Sequence, residues 1–356
     1  MSDAIDKTGN LAQAMEHAKQ LLDHDLQQAA LQLEEILAAV PDYAPAHFLK
    51  AVVLGQQQRG EQAIQALEKV LALDANHPEA WRLLADHSAA IGDKAASESA
   101  YLRHLQSATG NPNLQQAAAA MIANELPTAE RILKSHLKNA PTDVAAIRML
   151  AEVAVRVGRN DDAQALLEYC LELTPGFSGA RYNLAVLLHR TNKSDDALRE
   201  VDQLLAEEPD RPGYRNLAAV VCSRIGEYER SSQLYQALLE EYPQNAKVWL
   251  SYAHVLKTEG KREACEAAYR GAIDRDERFG EAYWSLANLK TFRFSEQDIA
   301  NMHRQVTRED LELSSRVQFH FALGKAAEDT GDYAESFDHY DKGNALHRST
   351  LNYQHA

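Results

Sequence analysis

The side chains in this sequence that could carry chemistry are fourteen histidines, three cysteines and several adjacent carboxylates. A zinc site on one helix needs histidines at i and i+4, as in H-E-x-x-H, or a histidine and cysteine at short ligand spacing. Neither pattern occurs. His17 and His24 are seven residues apart and can share a helix face, as His339 and His347 do less well; surface or satisfied imidazoles account for them, and no metal is expected. Cys170, Cys222 and Cys265 lie far apart without a C-x-x-C spacing and read as small buried hydrophobes in a reducing compartment. Asp161/Asp162 and Asp195/Asp196 stand where helices should begin, complementing the helix dipole, and Glu207/Glu208 stand near a helix end. None of these pairs requires general acid–base work. A phosphate cradle would need a glycine-rich turn after a strand, yet G-x-x-x-x-G-K-[ST] and G-x-G-x-x-G are both absent. The nearest glycine pair, in LGQQQRGEQA, reads Gly60 as a stop between two helices. No catalytic residue and no cofactor are expected.

The elements that would position any site repeat. Pro141, Pro175, Pro209 and Pro243 are each 34 residues apart, and Ala163, Ala197, Ser231 and Cys265 keep the same step. So do Leu167, Val201, Tyr235 and Tyr269. A small side chain, a large one four residues later and a proline after the helix form the tetratricopeptide pattern. The first helix of each unit agrees: Trp81-x2-Leu84-Ala85, Trp249-x2-Tyr252-Ala253, Tyr283-x2-Leu286-Ala287 and His320-x2-Leu323-Gly324 share one arrangement of sizes. The small residue lets two helices approach, and the aromatic fills the gap beside it. Gly92, Gly158, Gly226, Gly260 and Gly331 fall between helices as left-handed stops. The expected fold class is all-α, a right-handed α-solenoid of about nine to ten hairpins, with units beginning near Asn10, Ala44, Pro78, Gly110, Val144, Ser178, Arg211, Ala246, Gly280 and Val317. Residues 1–290 read as the array, 291–316 as an irregular helical insertion and 317–356 as a terminal repeat with an extended last helix.

Composition narrows the function classes. The chain has 356 residues, 45% of them apolar, and only 10 prolines and 16 glycines, spaced rather than clustered. Its 52 acidic against 37 basic residues give a net charge of −15, which repels phosphate backbones and anionic lipid. No nucleic acid or membrane partner is expected. The opening MSDAIDKTGNLAQA has no apolar core, and a cytoplasmic location is expected.

Two segments carry a more specific resemblance. YWSLANLKTFRFS, and then FHFALGKAAEDTGDYAESFDHYDKGNALHR, resemble the end of the repeat half of bacterial tetratricopeptide-repeat sulfotransferases. In that family the array is followed by a domain that uses a phosphosulfate donor. This sequence holds no donor loop, so no catalytic residue carries over; the resemblance implies the substrate- or partner-binding half of such an enzyme. The alternatives are a sulfotransferase-family protein whose catalytic domain lies outside this chain, and a structural scaffold in a larger assembly. The last helix has neither a proline nor a glycine stop. It is expected to continue past the repeat, carrying Leu346, Leu351 and Tyr353 toward a docked domain or into weak self-association with a second copy. Phe337 and Tyr340 are expected to pack inward against Phe321.

First helices of such units line a concave groove, and their inward positions name a candidate peptide site: Arg148, Tyr182, Asn183, Asn216, Lys247, Ser251, His254, Trp284 and Asn288. Asn183 and Asn216 occupy equivalent places before Leu-Ala, and an amide there can pair with the backbone of an extended peptide. This is similar to the asparagine ladder of protein O-linked N-acetylglucosamine transferases, with Ser251 and Ser285 in the next places. Arg148 and Lys247 could hold acidic side chains or a carboxylate, and Trp284 is expected to fill core space. The function expected is a non-catalytic module holding a protein or extended peptide.

Overall fold

The computed structural model describes residues 2–22, 24–289 and 292–350. Among them every regular element is a helix, and no helix is long and apolar enough to cross a membrane. The elements follow as helical pairs: α1 (Ser2–Leu21) with α2 (Leu26–Ala39), α3 (Ala44–Gln56) with α4 (Gly60–Leu73), α5 (Pro78–Ala90) with α6 (Lys94–Ala108), and α7 (Pro112–Ile122) with α8 (Leu126–Asn139). Next come α9 (Val144–Arg156) with α10 (Asn160–Leu173), α11 (Ser178–Arg190) with α12 (Ser194–Glu207), and α13 (Pro212–Ile225) with α14 (Tyr228–Glu241). The last are α15 (Ala246–Thr258) with α16 (Arg262–Arg275), α17 (Gly280–Ala287), α18 (Glu296–Val306), and α19 (Leu313–Thr330) with α20 (Tyr333–Thr350). The fold is an α-solenoid. The chain forms two compact units, Met1–Pro243 and Gln244–Ala356.

One hairpin shows why this sequence folds so. The Asp143 carboxylate caps α9 by accepting from the Ala145 and Ala146 amides at 3.1 Å. Ala146, Ile147, Met149, Leu150, Ala151, Val153 and Ala154 are buried along its core side. Gly158 then takes φ +81°, ending the helix where a Cβ would be strained. Asp161 and Asp162 open α10 at its positive dipole end. Ala163 at 0% and Leu167 at 1% exposure are the repeat positions, and with Cys170 at 0% they close the helix–helix seam. A buried leucine such as Leu167 contributes about 1.5–3 kcal/mol. The expected stops at Gly92, Gly158, Gly226, Gly260 and Gly331 all have positive φ. Gly60 does not: it opens α4, and Gln58 (φ +57°) makes the turn instead. Asn124 and Asn192 are left-handed stops of the same kind.

In the second unit the helix lengths depart from the 13- and 14-residue pattern after α16. The helix α17 has eight residues and packs mainly against α19. The following helix α18 starts at a capping box between Ser295 and Asp298, and Asp298 also receives the Arg270 guanidinium at 2.7 Å. Tyr283 and Phe319 pack at a centroid distance of 5.0 Å in the core. The terminal helix α20 has 18 residues against 14 for α10, α12, α14 and α16. Its inward stripe is Ser336, His339, Tyr340 and Gly343: the Ser336 hydroxyl donates to the Gly324 carbonyl, and the Tyr340 ring lies 6.4 Å from Phe321. Phe337 is 73% exposed, as is Tyr333, so only one of the two expected inward aromatics packs. At one residue past Ser336, its side chain turns about 100° away from the stripe. Leu346 is half-buried, and Leu351 and Tyr353 lie outside the described residues.

Candidate peptide site

Within the first unit the array returns on itself. The helix α13 lies against α5, eight helices earlier in the chain, at a point where Gly213 has no side chain. A Cβ there would come within 2.8 Å of the Asp86 carboxylate and 3.2 Å of the Ala89 Cβ. Arg211 pairs with Asp86 at 3.2 Å, and the Asn216 amide donates to the Ala89 carbonyl at 3.0 Å. Behind this contact Arg215 and Glu241 form an ion pair with both side chains buried. Tyr242, fully buried, places its hydroxyl 2.7 Å from His87 Nδ1, and its ring fills the space beside Gly60. Burial holds His87 below the ordinary imidazole range, so it is neutral here.

The closure borders a half-open cavity of about 380 Å³. Tyr101, Phe177, Tyr182 and Tyr214 give it aromatic walls, with Tyr182 and Tyr214 at a centroid distance of 5.7 Å. Among the described residues its charges pair off with one exception. Asp86 is held by Arg211, Glu152 by Arg156 at 3.2 Å, and Arg82 by Glu79 at 2.8 Å. Arg148 has no ion pair or hydrogen bond among the described residues, although it is 2% exposed. Its guanidinium carbon lies 4.0 Å from the Tyr101 ring centroid and 6.0 Å from that of Phe177. Such stacking offsets up to about 2 kcal/mol of the cost of burying a cation, but it supplies no acceptor for the N–H groups.

Three of the nine expected groove residues therefore line this cavity, Arg148, Tyr182 and Asn183, and Asn216 lines an adjoining pocket of about 260 Å³ that shares Tyr182 and Asn183. The two asparagines differ. Asn216 already donates across the closure, whereas Asn183 is half-buried with no hydrogen-bond partner among the described residues. The other five candidates belong to the second unit. Lys247 and Asn288 are exposed and Ser251 is half-buried. His254 lies 3.3 Å from the Ser285 hydroxyl and edge-on to Tyr269, and the half-buried Trp284 packs 5.4 Å from Phe321. The sequence reading missed Tyr101, Phe177, Arg211 and Tyr214 because they stand off the first-helix groove positions. The one available signal was Pro212-Gly213, a glycine just inside a helix start, which marks close approach.

These features define a helical-hairpin repeat protein with a half-open, aromatic-walled cavity in its first unit. Residues 20–86, 154–221 and 246–279 match the tetratricopeptide repeat family, so the chain carries tetratricopeptide repeats. No curated protein sequence matches the chain. Among solved structures, a tetratricopeptide repeat protein from Parabacteroides merdae is similar at 16% identity and a TM-score of 0.51, over 66% of this chain and 91% of that one. YrrB, described as a tetratricopeptide protein with an unusual peptide-binding site, is similar at 17% identity and a TM-score of 0.43, over 48% of this chain and 87% of that one. At these identities the likeness is one of fold.

Proposed function

We propose that the chain is a non-catalytic binding module that holds a peptide or protein segment, with an acidic group of the ligand received by Arg148. The observation that carries this reading is the buried guanidinium facing the cavity with no carboxylate of its own. A buried cation is stable when paired, and its planar fork suits a carboxylate. Asn183 stands beside it with a free amide for the ligand backbone. The aromatic walls supply apolar contact at low entropy cost. The test is selection from a random peptide display on the whole chain and on Arg148→Met. Wild-type protein should enrich sequences with Asp, Glu or a free C-terminus at one position, and the variant should lose that preference. Equal enrichment by both would remove Arg148 from the account.

A second reading, the substrate-presenting half of a sulfotransferase, is favoured by the resemblance of residues 283–295 and 319–348, which span α17 to α20. Micromolar affinity for the phosphosulfate donor in calorimetry would favour an enzyme; a binding module and a substrate-presenting half both lack the donor loop and both give no heat of binding.

A further inference from the structure

The second unit brings three histidines and a glutamate together from three helices. His303 lies on α18, His320 on α19, and Glu335 and His339 one turn apart on α20. The ligand atoms of His303, Glu335 and His339 all lie within 4.8 Å of one another. Glu335 Oε1 is 3.5 Å from His303 Nε2 and 3.8 Å from His339 Nε2, both too long for a hydrogen bond. Three strong donor atoms thus converge without bonding to each other. Zinc–ligand bonds of about 2.0–2.2 Å at tetrahedral angles put ligand atoms about 3.3–3.6 Å apart, so the widest pair must approach by at most about 1.5 Å, which the solvent-accessible His303 and Glu335 side chains can supply. We infer that His303, Glu335 and His339 bind one divalent transition-metal ion of the zinc type, with the fourth position open to water or a ligand atom.

A second observation supports the site. The buried His339 has its other ring nitrogen, Nδ1, 3.0 Å from Nδ1 of the buried His320. With a metal on Nε2, His339 Nδ1–H donates to His320, which fixes the tautomer and ring orientation. That is the outer-shell support that ligating histidines ordinarily have. The other two ligands, His303 at 43% and Glu335 at 46% side-chain exposure, leave an entry path from solvent. Two histidines and one carboxylate with an open position is the ligand set of catalytic rather than closed structural zinc. Here it would also tie α18 to α20 in the irregular part of the repeat.

The test titrates zinc chloride into the metal-free full chain, read by calorimetry, and cobalt chloride, read by visible absorption. The expected result is one ion per chain at micromolar affinity or tighter, four-coordinate cobalt bands, and a thermal midpoint that rises with zinc. His303→Ala and Glu335→Gln, both at exposed positions, should each weaken binding at least tenfold while leaving the metal-free melt unchanged. The His320→Gln variant should cost about 10- to 100-fold through the outer shell. Absence of binding at 100-fold molar excess overturns the inference. So does binding in His303→Ala and His339→Ala that is as tight as in the unsubstituted chain, which would place the ion on other side chains.

Discussion

The closure of the first unit turns on Gly60, and replacing it with alanine measures that closure. A Cβ at Gly60 would lie 2.1 Å from Tyr242 Cε1 and 2.3 Å from Cζ. The ring has no room to yield, since Tyr242 is 0% exposed and its hydroxyl is tied to His87 at 2.7 Å. Overpacking of this kind costs about 1–3 kcal/mol. Loss of the hydroxyl contact adds about 1 kcal/mol, and alanine's better helix propensity returns at most about 1 kcal/mol. The expected net loss is about 2 kcal/mol. Gly55→Ala is the internal control: its Cβ would meet only the His87 ring at 3.6 Å, an ordinary contact. That variant should gain about 0.5–1 kcal/mol from reduced chain entropy. Repeat arrays need not unfold in one step, so native-state hydrogen exchange on α5, α13 and α14 is the suitable assay. Protection there should fall in Gly60→Ala and hold in Gly55→Ala. In a Tyr242→Ala background, the Gly60→Ala penalty should vanish. Equal behaviour of the two glycine variants would refute the packing argument.

Other consequences are more quickly checked. Because burial keeps the His87 pKa below its unfolded value, the unfolded chain takes up that proton first as pH falls. Stability is therefore complete above the ordinary imidazole range and is lost below it, and His87→Gln should flatten this part of the pH–stability curve measured by urea unfolding. Burial pushes the Cys170, Cys222 and Cys265 thiols up to about 11; at pH 8 none should react with a thiol reagent until the chain unfolds, and fast reaction of any one would place it at the surface. Phe337→Ser and Tyr333→Ser should each change stability by less than about 0.5 kcal/mol, as exposed side chains do; a larger loss in thermal melts would mean that these rings are covered.

The repeat was legible because it is local. Proline steps of 34 residues and small-large pairs set the helix starts at Ala44, Val144, Ser178, Ala246 and Gly280, where they are observed. What escaped has no period. Gly60 with Tyr242, His87 with Tyr242 and Ala89 with Asn216 are joined across 127 to 182 residues, and nothing in a 34-residue pattern marks where an array meets itself. The same limit applies to side chains gathered from three helices: His303 and His339 carry no shared motif. Phe337 failed for a different reason. Aromatic residues at Phe337 and Tyr340 both suggested core, but the inward stripe is set by Ser336 and Gly343, small residues that admit the helix closely. Asn183 and Asn216 looked equivalent by sequence, and the closure gave them different neighbours.

The central claim is that the Arg148 guanidinium waits for a carboxylate. It is tested by a double-mutant cycle between Arg148→Met and an acid-to-amide change in a selected peptide, measured by fluorescence anisotropy at fixed salt. Each change alone should weaken binding about 10- to 100-fold, as loss of a charged hydrogen bond does, and the two together should weaken it no further. Arg148→Met should not lower the thermal midpoint, because it removes an unpaired buried charge. Additive losses, or a variant that binds as well as the original chain, would contradict the account.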